Sequence, residues 1–387
     1  MPRRKENIMD MNFSKEHLMA RQLFHDFAVN EVEPWAEQTD EEHRFPKEIV
    51  GKMQELGFMG VPFPKEVGGQ GCDTLTYVLM VEEIAKVCAT TAVIVSAHTS
   101  LAADAIAQFG NETQKEQFLR PLAEGKKLGS FALTEAEAGT DASGLNTKAV
   151  RDGESWVING TKVFITNAVQ ADIYVIFAMT DKSAGTRGIS AFIIEKGTPG
   201  FSFGLPEKKM GIRGSSTCEL IFEDCRIPLE NLLGREGKGF GIAMATLDGG
   251  RIGIAAQALG IAEGAFEKTI TYVKERKQFK TPIAKFQNTQ FVLAQMKTEI
   301  EAARYLVYDA ALKKDSGKPY SVEAAMAKLK CSQVASDVTR GCVQLHGGYG
   351  FIQAFQVERM MRDSKITEIY EGTSEVMKMV ISASLLR

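Results

Sequence analysis

The sequence predicts a mainly α-helical protein with a central β domain, because its texture changes twice, near residue 128 and again near residue 240. From Ser14 to about Lys127 apolar residues recur at helical spacing, as in Met19, Leu23 and Phe27, and Gly57, Gly110 and Gly125 stand where helices stop. Between about Leu128 and Gly239 the chain turns to short runs rich in Val, Ile and Phe, divided by Gly, Pro, Asn and Asp. The clearest run is Trp156–Thr166, in which Asn159-Gly160 has the form of the two central residues of a hairpin turn. Further strands are predicted at 173–179, 189–195 and 218–223, in an antiparallel domain. From Phe240 onward, long segments such as 284–314 and 322–343 carry few breakers and are dominated by Ala, Leu, Met, Glu and Lys, which predicts a helical bundle. The predicted domains are 13–127, 128–239 and 240–387. Residues 1–12 are predicted to be a disordered extension, with Met9 or Met11 a candidate for the natural start.

A chain of 387 residues accommodates two or three domains at roughly 100 to 200 residues each, around a core with room for a large cofactor. The 46 basic and 49 acidic residues leave a formal charge of −3, and the basic ones are scattered, which argues against nucleic-acid binding. Cys72, Cys88, Cys218, Cys225, Cys331 and Cys342 include no CxxC pair and are too sparse for a disulfide framework, so a reducing bacterial cytoplasm is predicted. Arg3, Arg4 and Lys5 look like the start of a signal peptide, but no apolar run follows over residues 6–17, and no export is predicted. The most apolar helical stretch, Thr90–Ala107, is interrupted by Ser96, His98, Thr99, Ser100 and Asp104, which predicts a buried helix and no membrane insertion. Gly237-Lys238-Gly239 lacks the hydroxyl and the spacing of a phosphate loop, and no GxGxxG, HExxH or GxSxG occurs. His98, alone on an apolar helix, reads as a satisfied core residue, and no metal site is predicted.

Several clusters each have an ordinary reading. Phe131–Asp141 reads as a loop entering the β domain, Gln344–Phe351 as a helix end with glycine caps, and Glu371–Glu375 as an N-cap in which Thr373 or Ser374 opens the last helix. Asp248 and Arg251 read as a helix-surface ion pair. In this order and at these intervals, however, Phe131–Asp141, Ile158–Asn167 (INGTKVFITN), Leu247–Ala256 (LDGGRIGIAA), Glu275–Phe279 (ERKQF), Gln344–Phe351 and Ile369–Glu375 (IYEGTSE) resemble the acyl-CoA dehydrogenase family. The resemblance runs from about Phe13 to the last residue. Leu247–Ala262 is most similar to the short-chain, butyryl-CoA branch.

The resemblance implies an N-terminal helical domain, an antiparallel β-barrel-like middle domain and a C-terminal four-helix bundle. It also implies FAD as cofactor, a homotetramer arranged as a dimer of dimers, and an electron-transfer flavoprotein as partner. On the family pattern Phe131, Leu133, Thr134, Phe164 and Thr166 surround the isoalloxazine ring, with Thr166 near N5. Many relatives carry Trp where Phe164 stands; a stacking surface is kept and an indole donor is lost. Arg276, Phe279, Gln287, Gln344, Gly347 and Gly348 reach the adenosine and pyrophosphate of a neighbouring subunit's FAD, where glycines admit close backbone approach and arginine offers a rigid fork of donors. Thr373 and Glu375 meet the cofactor of their own subunit at a helix start. Thr140, Asp248 and Arg251 line the pantetheine and nucleotide end of CoA, while Tyr370 and Gly372 flank the thioester.

The α-proton of an acyl thioester is weakly acidic, so its removal needs a positioned base and a polarised carbonyl. The resemblance assigns the base to Glu371, whose amide, with a flavin ribitol hydroxyl, donates to the thioester oxygen. The β-hydride passes to flavin N5 and trans-2-enoyl-CoA results, or the reaction runs in reverse in a fermenting cell. An apolar pocket is expected to raise the carboxyl pKa. Some relatives place this glutamate at the position that is Gly250 here, which disfavours the isovaleryl and long-chain branches. An isobutyryl-CoA dehydrogenase, an oxygen-using flavoenzyme on the same fold and a non-catalytic helical scaffold are the alternative readings.

Overall fold

The computed structural model describes residues 13–386, so the extension read at 1–12 lies outside the described residues. The first third is helical: α1 (Lys15–Phe27), α2 (Glu33–Glu41), α3 (Lys47–Glu55), α4 (Thr74–Ala85), α5 (Ala89–Ser96), α6 (Asp104–Phe109), α7 (Glu112–Gln114) and α8 (Arg120–Ala123). Ser14 opens α1 by accepting the His17 amide, and Asp73 opens α4 by accepting that of Thr76. α1 buries Phe24 and Phe27 but leaves Met19 and Leu23 exposed, so the apolar spacing located the helix without giving its inner face. α5 and α6 are joined by a π-helical segment, Ala97–Ala103. By length and composition Ala89–Phe109 is apolar enough to cross a membrane, yet every residue from Ala89 to Ile106 is buried within the protein. His98 lies inside it, its Nδ1 accepting the Gly129 amide at 2.9 Å, and burial holds its pKa down to about 4.

The middle third holds β1 (Gly129–Ala132), β2 (Lys148–Asp152), β3 (Ser155–Thr166), β4 (Ile173–Met179), β5 (Ile189–Glu195), β6 (Phe201–Phe203), β7 (Thr217–Pro228) and β8 (Leu232–Leu233). They form one sheet in the order β6-β7-β3-β2-β4-β5-β8, with β1 beside β4. The expected antiparallel pairing holds for most of the sheet, with two departures from the expected antiparallel, barrel-like form. The sheet is open, ending at β6 and β8, and β4 pairs in parallel with β1 and, at one position, with β2. Parallel pairing needs a long connection, which the intervening β2–β3 hairpin provides.

The hairpin turn is also relocated. Asp152 pairs with Ser155, so the turn falls at Gly153-Glu154, and Asn159-Gly160 lies inside β3 at a register shift against β7. Gly160, at φ +147, packs so tightly that a Cβ there would come 2.6 Å from Thr147 Oγ1. The Asn159 side chain meanwhile accepts the Asp224 amide at 2.8 Å. A glycine next to asparagine therefore serves a bulge and a close approach. The strand predicted at 218–223 is part of the longer β7.

The last third consists of α9 (Gly239–Glu275), a small hairpin of β9 (Lys277–Gln278) and β10 (Thr281–Pro282), and then α10 (Gln287–Asp315), α11 (Ser321–His346), α12 (Val357–Ser364) and α13 (Ser374–Leu385). α9 is buried without interruption from Gly249 to Ala265, which is why its sequence shows no polar face. Buried charges join it to its neighbours: Arg304 of α10 donates to Glu263 of α9 at 2.7 Å and to Glu82 of α4. Each charge is paired, as burial requires.

Candidate active site

Glu371 lies in the turn between α12 and α13, at φ +52, with Gly372 at φ +101. The left-handed region is sterically disfavoured for a residue with a side chain, and this turn directs the carboxylate inward against α9. A Cβ on Gly250 of α9 would come 2.2 Å from Glu371 Oε2 and 2.6 Å from Leu101 Cδ2, so glycine there makes the space the carboxylate occupies. Oε2 is fully buried and has no hydrogen-bond partner among the described residues, although Glu371 as a whole is half-buried. Burial pushes this carboxyl up to about 7, with Lys328 and Arg251 pulling the other way. A buried carboxylate without a partner is costly and is the usual mark of a group reserved for chemistry.

The walls of the site follow from neighbouring elements. Tyr370 donates to Gln257 Oε1 on α9, and Gln257 Nε2 donates to the Ala89 carbonyl at 2.9 Å. Lys328 of α11, wholly buried, donates to the Gly372 carbonyl at 2.6 Å. Tyr77 of α4 donates to Ser96 Oγ at 3.0 Å. Both hydroxyls crowd Gly253 of α9, where a Cβ would lie 2.5 Å from Ser96 Oγ and 2.6 Å from Tyr77 Oη. Arg251 and Asp248 are joined at 2.5 Å, but Arg251 is buried, so the surface-pair reading is corrected: the pair faces the interior at the Glu371 side of α9.

Leu101 connects this pocket to the β domain, because it packs in the same buried cluster as Phe131 and Leu133. The segment holding Phe131, Leu133 and Thr134 lies against that holding Phe164 and Thr166, as the Val163 amide donates to Thr134 O at 2.9 Å and Ser130 Oγ donates to Thr166 O at 2.6 Å. A buried ion pair fixes the first segment: Lys162 Nζ meets Glu135 Oε1 at 2.7 Å and Leu133 O at 3.0 Å. Phe164 projects from the bulged end of β3 at φ +58, its side chain largely exposed. An exposed aromatic beside buried apolar residues, with threonine hydroxyls at the margin, fits a flavin ring.

The remaining residues fall into two places. Thr373 caps α13 by accepting the Val376 amide at 3.3 Å, which fulfils the N-cap reading, and Glu375 is exposed on its first turn. Thr140 is exposed in the loop after β1. Arg276, Phe279, Gln287, Gln344, Gly347 and Gly348 belong to an exposed surface at the β9–β10 hairpin and the end of α11. There Arg276 stacks over Tyr349 at 5.2 Å, and Phe279 is 91% exposed. Sequence reasoning missed Lys328, Leu101, Tyr77 and Gln257. Lys328 had a signal, since it interrupts the stripe Ala324, Ala327, Cys331, Ala335 on one face of α11.

Three family models match the chain in succession: the acyl-CoA dehydrogenase N-terminal domain over residues 14–126, the middle domain over 130–225 and the C-terminal domain over 237–386. The chain belongs to the acyl-CoA dehydrogenase family and is an FAD-dependent oxidoreductase of that family. It is 59% identical over 379 residues to the short-chain specific acyl-CoA dehydrogenase of Clostridium acetobutylicum, across 98% of this chain and 100% of that one. It is similar in structure to butyryl-CoA dehydrogenase from Megasphaera elsdenii, with TM-score 0.96 and 53% identity over 98% of this chain and 100% of the other. A chain in the structure described as "Electron transferring flavoprotein of Acidaminococcus fermentans: Towards a mechanism of flavin-based electron bifurcation" matches at TM-score 0.97 and 55% identity, over 98% and 100%.

Proposed function

We propose that the chain catalyses FAD-dependent α,β-dehydrogenation of short-chain acyl-CoA thioesters, converting butyryl-CoA to crotonyl-CoA or, in a fermenting cell, the reverse. The observation that carries the proposal is the unpartnered, buried Glu371 oxygen, walled by Gly250 and Leu101 beside the apolar surface of Phe131 and Leu133. FAD, when bound, supplies the acceptor for the β-hydride at its N5. Phe131, Leu133, Thr134, Phe164 and Thr166 would hold its ring, with Thr373 and Glu375 at the start of α13 beside it, and the exposed set around Arg276 would serve the nucleotide end of a neighbouring subunit's FAD.

Glu371 removes the C2 proton as its carboxylate and keeps it as the carboxyl. With its pKa pushed up to about 7 it is a stronger base than an exposed glutamate and is still ionised in good part at neutral pH. The Glu371 amide, with Tyr370 and Gly372 on either side, polarises the thioester carbonyl. Asp248, Arg251 and Thr140 receive the pantetheine and nucleotide portions. The short-chain preference is supported by the hydroxyls of Tyr77 and Ser96 crowding α9 at Gly253, close behind the carboxylate. We further propose the division 13–127, 128–239 and 240–387, a homotetramer, an electron-transfer flavoprotein as acceptor and a cytoplasmic location. The exposed Phe279 surface supports the assembly, and the relatives support the partner.

An anaerobic titration with butyryl-, isobutyryl-, isovaleryl-, hexanoyl- and octanoyl-CoA, following flavin absorbance, tests the assignment. Butyryl-CoA is expected to bleach the flavin fastest and most completely. Glu371→Gln is expected to bind the substrate and bleach about 10² to 10⁴ times more slowly. Near-normal bleaching in that variant, or a preference for octanoyl-CoA, contradicts the proposal.

A further inference from the structure

The turn carrying Glu371 is held from one side by α11. Lys328 Nζ donates to Gly372 O at 2.6 Å, Ser332 Oγ donates to Thr367 O at 2.7 Å, and Thr339 Oγ1 lies 3.2 Å from Ser364 Oγ. Positions 328, 332 and 339 fall on one face of the helix, so a single rigid element grips residues 364–372 along their length. The Lys328 grip is nearest the base, it falls on the segment with two consecutive positive φ values, and it is charged.

We infer that Lys328 is the positioning residue of the base: its ammonium fixes the Gly372 carbonyl, holds the left-handed turn that aims the Glu371 carboxylate, and supplies positive charge to the pocket beside that of Arg251. The inference rests on the reading of Glu371 as the base. The other charged or titratable groups facing the carboxylate are Arg251 of α9, Tyr77 of α4 and the adjacent Tyr370. Those facing the ammonium are Glu371, Arg251, Glu368 and Glu375. Arg251 is already engaged by Asp248, and of the two cations Lys328 acts more strongly on the carboxyl. Burial lowers Lys328 to about 8, so it carries its charge at neutral pH. Removing that charge leaves the carboxylate less stabilised, which moves its ionisation to higher pH.

The test is anaerobic flavin bleaching by butyryl-CoA across pH, on the FAD-loaded Lys328→Met protein. The rising limb of the rate profile is expected to move up by about one pH unit, with about a fivefold loss at neutral pH from fewer ionised carboxylates. Lys328→Arg, which keeps the charge, is expected to return the limb towards the wild-type position. If Lys328→Met cannot be recovered with FAD, Lys328→Gln reads the same limb. A limb that stays put in the neutral variant overturns the inference, and so does one displaced equally in Lys328→Arg. Glu371→Gln measured in parallel separates the two readings. If it bleaches normally, the base is misassigned. If it is silent while the neutral Lys328 variant keeps its limb, the inference about Lys328 alone is wrong.

Discussion

The surroundings of Glu371 and of Phe279 differ in what one chain can complete. Glu371 is enclosed by helices of the one chain, with α4, α9 and α11 each contributing a wall and a hydrogen bond or charge. The set around Phe279 faces outward, and its residues contact mainly one another, as in the Arg276–Tyr349 and Phe279–Phe286 pairs. On the proposed function, proton removal is built into the fold of one chain, whereas holding the nucleotide end of the cofactor falls to an outward-facing surface that a second copy of the chain would complete. The two regions should respond to mutation in different assays.

Beyond replacement of the base itself, the largest effect is expected at Gly250. Gly250→Val places atoms where Glu371 Oε2 and Leu101 Cδ2 now sit, so the carboxylate must turn away. Misplacement of a reacting group by about 1 Å costs on the order of a hundredfold, and the bleaching rate should fall by that much while FAD stays bound. Arg276→Gln should do the opposite, weakening FAD retention by roughly ten- to a hundredfold through loss of a charged donor, with the bleaching rate of the FAD-loaded fraction unchanged. Equilibrium dialysis against FAD checks it, and equal retention would erase the contrast between the regions.

The smallest effect concerns stability. The folded-state carboxyl of Glu371 is raised from 4.5 to about 7, so between those values the native protein binds more protons than the unfolded chain. Its contribution is therefore favourable at low pH and is lost as pH rises through that window. Glu371→Gln should be more stable than wild type at pH 8 by roughly 1 to 3 kcal/mol, and indistinguishable near pH 4. Thermal unfolding at the two pH values checks this, and a gap of the same size at both would show that ionisation is not its cause.

Much of this was legible in the sequence where local chemistry decides the structure. The strands at 173–179 and 189–195 fall where the Val, Ile and Phe runs place them, and the breaker-free segments at 284–314 and 322–343 are the cores of α10 and α11. Asn159-Gly160 misled because a bulge and a turn use the same residues, and only the partner strand β7 distinguishes them. The open sheet was hidden for a similar reason, since parallel pairing of β1 with β4 depends on what lies between them. The motif containing Glu371 was visible, but its neighbours were not. Lys328, Gln257 and Tyr77 come from three helices far apart in the chain, and nothing in the spacing of any one helix reveals that they converge. Even the interrupted apolar stripe around Lys328 marks an unusual residue without saying what it faces.

The central claim is that the Glu371 carboxylate takes the C2 proton of a bound acyl thioester. Incubation of the FAD-loaded protein with butyryl-CoA in deuterated buffer without oxygen, followed by mass analysis of the recovered thioester, reads that step directly. Wild type is expected to incorporate deuterium at C2 and Glu371→Gln to incorporate none. Equal incorporation by the two proteins would contradict the account.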